Sequence, residues 1–129
     1  MIEFILPTSI VLPRKTKDDK RVSLNLNNYR NQHHREENTC KKLFRPLKIE
    51  LFRANKIRVS YHIEKMSKRK YDLGNIFAIV DKYFLDWLTA KRMIPDDNLF
   101  HVEYGSITGS NNCKENRVLA YITILEEMK

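Results

Sequence analysis

The sequence predicts an α+β fold: a small mixed or antiparallel sheet with one long amphipathic helix and one polar, basic helix packed on it. Three observations point there. Ile57, Val59, Tyr61 and Ile63 fall at every second position, the period of a strand with one buried face, and Val118, Ala120, Ile122 and Ile124 alternate with a second, largely apolar set in another strand. Ile76, Ile79, Val80, Tyr83, Phe84, Trp87 and Leu88 instead recur at alternating intervals of three and one, the period of a helix with one apolar face. The 129 residues, 42% hydrophobic and 31% charged with three Gly and four Pro, suit one ordered domain around one core, spanning 1–129.

In chain order, residues 2–12 read as a strand punctuated by Pro7 and Pro13, followed by a polar loop from Arg14 to Arg21. Asn28 to Arg45 has few helix breakers and stops before Pro46, where the pre-proline position disfavours helix. It reads as a polar surface helix whose apolar side is thin: Tyr29 and the Leu43-Phe44 end. Leu47, Ile49 and Leu51 alternate with charged residues and pair in prospect with the 57–63 strand as a hairpin. The long helix opens at Asn75 as N-cap, which sets Asp72 just ahead of the positive end of its dipole. It stops before Pro95, and Asp96-Asp97 follow at once. Leu99 to Ile107 reads as a strand, Thr108 to Asn112 as a loop, and Val118 to Leu125 as a central strand apolar on both faces.

Charge narrows the function. The formal net charge is +8, and it is segregated: residues 1–70 hold 18 Lys/Arg against 7 Asp/Glu, a net of +11, and residues 71–129 hold 6 against 9, a net of −3. Basic side chains carried within ordered elements suit a nucleic-acid partner, whose phosphates they neutralise. A generic solvated basic surface is the bland alternative. No apolar run approaches the roughly 18 residues of a membrane span. The opening Met1 to Pro7 lacks the basic n-region of a secretory signal, so a cytoplasmic protein with no membrane partner is the expectation. Cys40 and Cys113 stand alone without a CxxC partner and read as free thiols, and His33-His34 lack zinc-ligand spacing.

The chemistry-bearing stretch begins at Lys68-Arg69-Lys70, runs into Tyr71-Asp72-Leu73-Gly74-Asn75, and ends past the helix at Asp96-Asp97. Carboxylates beside concentrated positive charge suit a divalent metal that meets phosphate. On the 57–63 strand, Lys56, Arg58, Ser60 and His62 oppose the apolar set, so that face either lines a groove or is simply solvated. The aromatic helix face at Tyr83, Phe84 and Trp87 reads first as core, with part of it available for a dimer contact.

Lys-Arg-x-x-Asp-Leu-x-Asn opening the long helix, Asp-Asp closing it, and the order of elements resemble the RusA-type Holliday-junction resolvases of phages and prophages. Ser23-Leu24-Asn25, Tyr29-Arg30 and Lys41-Lys42 resemble that family's Asn-rich turn and basic helix. The resemblance implies a homodimer that binds branched DNA and cuts it with Mg²⁺. It implies Asp72 and Asp97 as catalytic residues, and Asp72, Asp96 and Asp97 as metal ligands. Lys68, Arg69, Lys70, Arg30, Lys41, Lys42 and Arg58 would contact DNA, and Tyr83, Phe84 and Trp87 would contact a second copy. A phage-encoded member would work in the host cytoplasm. Three departures are plain: Gly74 replaces the motif's second carboxylate, Ala78 stands where a lysine is frequent, and Asp72 to Asp96 is about one turn longer than usual. Two outcomes follow: a weakened nuclease, with Glu103 as a further candidate ligand, or a DNA- or protein-binding relative without cleavage whose partner is host or phage protein. An RNA-binding module is a third, but no RNP-like aromatic motif supports it.

Overall fold

The computed structural model describes residues 1–128 and has the α+β architecture the periodicities predict. A four-stranded mixed sheet runs in the order β1 (Ile2–Leu6), β6 (Arg117–Glu127), β4 (Ala54–Glu64), β5 (Val102–Ser110). The first three strands pair antiparallel, and β4 pairs parallel with β5. Parallel neighbours need a crossover, which α3 (Leu73–Ala90) supplies. A second sheet is the hairpin β2 (Ser9–Leu12) and β3 (Lys20–Ser23), and two short helices, α1 (Leu26–Asn31) and α2 (His34–Leu43), follow it.

The core forms where the two periods meet. Ile57, Val59, Tyr61 and Ile63 of β4 and Val118, Ala120 and Ile122 of β6 point at Ile76, Ile79, Val80, Tyr83, Phe84 and Leu88 of α3, and all are buried. Phe4 of β1 closes one end, edge-on to Phe84 at 5.2 Å between centroids. Burial at about 25 cal/mol per Å² of apolar surface makes this helix-on-sheet contact the main stabilising layer.

Several expectations change. The 2–12 strand is cut in two at Pro7, which has no N–H to continue a ladder, and the halves join different sheets. The loop expected through Arg21 ends earlier, because Lys20 and Arg21 enter β3 opposite Leu12 and Val11. The 28–45 helix is two helices: Gln32 leaves helical geometry at ψ 138°, and the His33 ring nitrogen accepts from the Arg35 N–H to cap α2. Leu47, Ile49 and Leu51 form no strand and no hairpin, and stay 75%, 56% and 77% exposed.

The cap of α3 is Asp72, whose carboxylate accepts from the Gly74 N–H at 2.9 Å, three residues ahead of the expected Asn75. Asn75 does other work, its Oδ1 accepting from the Leu26 N–H at 3.0 Å, which ties the start of α1 to the first turn of α3. Arg92, at φ 59°, turns the chain away beyond the end of α3, ahead of Pro95. β5 starts at Val102 and absorbs Thr108, Gly109 and Ser110, which had read as loop. β6 is central as expected, but only one of its faces is buried: Leu119, Tyr121 and Thr123 remain partly exposed and Leu125 exposed. Tyr83 and Phe84, offered as dimer contacts, are 2% and 0% exposed inside the core, whereas Trp87, which packs flat on Phe84, keeps part of its surface.

Candidate nucleic-acid interface

At the far end of β4 the chain leaves the sheet as a loop, residues 65–70, that carries Lys65, Lys68, Arg69 and Lys70 and no acid. A loop this charged tends to be loose, because like charges repel and no apolar residue anchors it. Here the neighbouring 110–116 loop holds it. The Lys65 N–H donates to the Ser110 carbonyl (3.1 Å) and the Met66 N–H to Asn116 Oδ1 (2.7 Å). In return the Asn112 N–H donates to the Ser67 carbonyl (2.9 Å), the Cys113 N–H to the Lys65 carbonyl (2.9 Å) and Asn111 Nδ2 to the Lys68 carbonyl (3.1 Å). Asn112 is left-handed at φ 56°, the conformation Asn tolerates best after Gly, and this turns its amide toward the basic loop.

Past Lys70, the Tyr71 hydroxyl lies 3.0 Å from the Ile63 carbonyl and 2.7 Å from the Ser110 carbonyl, pinning the loop's exit to the ends of β4 and β5. Burial pushes the Tyr71 hydroxyl above its usual pKa, so it stays a donor to these carbonyls. Lys70, Tyr71, Leu73, Ser110 and Asn111 line a shallow concavity beside the cations. Lys68, Arg69 and Lys70 are exposed, and neither they nor Lys65 make an ion pair among the described residues. The result is a fixed, unneutralised cationic ridge.

The other DNA-contact candidates are scattered. Arg58 donates through Nε (3.1 Å) and an Nη (2.8 Å) to Glu103 on β5, so its charge is spent across the sheet. Lys41 lies 3.4 Å from Glu37 and 3.9 Å from Asp86. Arg30 and Lys42 are exposed on α1 and α2, outside the loop that forms the ridge. Lys65 was not among the sequence candidates, and the signal that could have found it was its place one residue past an alternating strand.

The acidic residues do not converge. Asp72 caps the start of α3, beside the Ile63 end of β4. Asp96 and Asp97 follow its other end, where Met93 accepts from the Ala54 N–H at the opposite end of β4. The helix that runs between the two corners has eighteen residues and is about 27 Å long at 1.5 Å each. Carboxylates sharing one Mg²⁺ sit about 2.1 Å from it, and hence within roughly 4 Å of each other. Glu103, the further candidate, is occupied by Arg58. Among the described residues no three His, Cys, Asp or Glu side chains are grouped to hold a metal ion, so the residues present do not fit the Mg²⁺ site that the resemblance implies.

What gathers near Asp97 is different. Burial raises the Asp97 carboxyl, and the adjoining Asp96 raises it further; Asp96 is lowered, chiefly by the Asp97 N–H it accepts at 2.8 Å. Asp81, on the inner face of α3, is buried and accepts from the hydroxyls of Tyr61 on β4 and Tyr104 on β5. Burial raises its pKa, opposed by those two donors and reinforced by Asp97 and Asp86. This is a structural clasp between helix and sheet, missed from sequence because Asp81 looks like an ordinary break in the apolar stripe.

No helix is long and apolar enough to cross a membrane among the described residues. No protein-family model matches the chain, and no curated protein matches it.

Proposed function

We propose that the chain is a DNA-binding protein that engages branched duplex through the 65–70 ridge and does not cut it. The carrying observation is that ridge: four cations on a surface loop, held in shape by the 110–116 loop and left without acidic partners among the described residues. Phosphate contacts of this kind bind by releasing counterions, and a loop already ordered loses little entropy on binding. The resemblance to RusA-type resolvases supports branched DNA as the substrate class. Against hydrolysis stand Gly74 in place of a carboxylate and the length of α3 between Asp72 and Asp97.

The test is fluorescence anisotropy with a labelled four-way junction, a linear duplex and a single strand across salt concentrations. Four phosphate contacts give a slope of log K against log salt of about −3.6, or a loss of roughly 150-fold in affinity between 50 and 200 mM salt. Replacing Lys68, Arg69 and Lys70 together by Ala should weaken binding and flatten that slope by about 2.7. Arg58→Ala, whose partner is Glu103, should leave it nearly unchanged. A slope insensitive to the triple substitution refutes the interface. Nicking of the junction in Mg²⁺ or Mn²⁺ that disappears in Asp72→Asn refutes the absence of cleavage.

A further inference from the structure

The alternating segment Leu47-Lys48-Ile49-Glu50-Leu51 is strand-like in sequence and has no strand partner in the fold. Its three aliphatic side chains are 75%, 56% and 77% exposed, an unusual concentration of large apolar surface on five consecutive residues. The ends of the segment are tied. The Leu47 N–H donates to the Ile5 carbonyl at 2.8 Å on the free edge of β1, and the Ala54 N–H donates to the Met93 carbonyl at 2.9 Å. Between them no main-chain amide finds a main-chain acceptor among the described residues. Phe52, packed edge-on to Phe4 at 6.3 Å, anchors the segment's exit to the core. An exposed, apolar, hydrogen-bond-hungry segment beside a sheet edge is a template for strand pairing.

The order of its side chains says which strand fits. Lay the segment antiparallel against itself about a twofold axis through Ile49. Lys48 of one copy then faces Glu50 of the other, and Glu50 faces Lys48, two cross-strand ion pairs on one face. On the other face Ile49 meets Ile49, and each Leu47 meets a Leu51. In an extended segment the amides of 47, 49 and 51 point one way and those of 48 and 50 the other. The Leu47 N–H already points to β1, so the Lys48 and Glu50 amides are the ones left to pair outward. The bend at Leu47-Lys48 must straighten for full pairing.

We propose that two copies of this chain pair antiparallel through residues 47–51. The surface is distinct from the aromatic face of α3 and from the cationic ridge, and pairing here needs no DNA. Five residues a side is small beside the roughly 800 Å² per partner of a standard interface, so the dimer is concentration-dependent.

Sedimentation velocity from about 5 to 500 µM tests it. The wild-type chain should shift from the mass of one chain toward two as concentration rises. Lys48→Glu alone sets Glu against Glu, and Glu50→Lys alone sets Lys against Lys, so each variant should remain a single chain, weakened at least tenfold in association. Mixing the two variants restores opposite charges at both positions and should restore the dimer, as should Lys48→Glu/Glu50→Lys within one chain. Both positions are exposed, and circular dichroism of each variant should match wild type. A wild-type chain that stays single at 500 µM overturns the proposal, including the case where the segment is capped by a strand from another protein. Dimers that persist in both single variants, or that fail to return on mixing, overturn it equally.

Discussion

Tyr61→Phe removes one oxygen from the buried contact between β4 and α3. The Tyr61 hydroxyl is wholly buried and donates to Asp81, and the half-exposed Tyr104 gives Asp81 its second donor. The Phe ring would keep its edge-on contacts with Phe77 at 5.4 Å and Phe84 at 6.4 Å, so little cavity forms. What is lost is a hydrogen bond to a buried carboxylate, net about 1.5–3 kcal/mol. For a domain of this size that lowers the midpoint of thermal unfolding by about 5–12 °C.

Proton linkage gives the loss a pH signature. Burial raises the folded-state pKa of Asp81 above its unfolded value, against the pull of its two donors. A carboxyl shifted upward contributes stability that is fully present below the unfolded pKa and is lost as pH rises through the folded one. Removing a donor raises the folded pKa further and deepens that loss at neutral pH. The deficit of Tyr61→Phe should therefore be largest at pH 7 and shrink as pH falls through the raised folded-state pKa of Asp81. Tyr104→Phe should cost less at every pH, because water reaches that half-exposed position and replaces the hydroxyl. Urea unfolding at pH 7 and pH 4 decides it. A Tyr61→Phe deficit under about 0.5 kcal/mol, or one equal at both pH values, would refute the account of the clasp.

Two further substitutions probe the ends of α3 and β5. Asn75→Ala leaves the Leu26 N–H without its acceptor and should cost about 1 kcal/mol by urea unfolding, while Asn75→Asp, which retains an acceptor, should cost less. Gly109→Ala would bring a Cβ within 2.3 Å of Leu73 Cδ2 and 2.8 Å of Tyr71 Oη. Tyr71 is pinned by two carbonyls and cannot yield freely, so about 1–3 kcal/mol of stability should be lost together with some order in the 65–70 ridge, read as faster amide exchange there.

The strands and helix with a clear period were legible because burial on one face imposes that period on the sequence: Ile57 to Ile63, Val118 to Ile124, and Ile76 to Leu88 all lie where the alternation places them. The expectations that failed concern residues whose fate depends on what they meet. Asp72 and Asn75 are both good caps, and only the position of α1 decides that Asn75 is taken by Leu26. Leu47 to Leu51 carries the alternation of a strand, yet a strand needs a neighbouring edge as well as a pattern, and β4 already pairs with β5 and β6. Thr108 to Ser110 has turn composition and is held extended by the ladder to His62, Ile63 and Glu64.

By itself, the chain's order of residues determined the α+β class, the apolar stripe of α3, the central place of β6 and the concentration of positive charge before residue 71. These follow from local period and composition, which the solvent reads directly. Tertiary structure decided which charges remain available. It set Arg58 against Glu103 and Lys41 between Glu37 and Asp86, held Lys68 to Lys70 open to solvent, buried Tyr83 and Phe84, and stretched α3 between the two acidic corners. Coulomb interactions and hydrogen bonds act through space over a few ångströms, so which residues they join depends on how the chain returns on itself, a distance that spacing along the sequence does not encode.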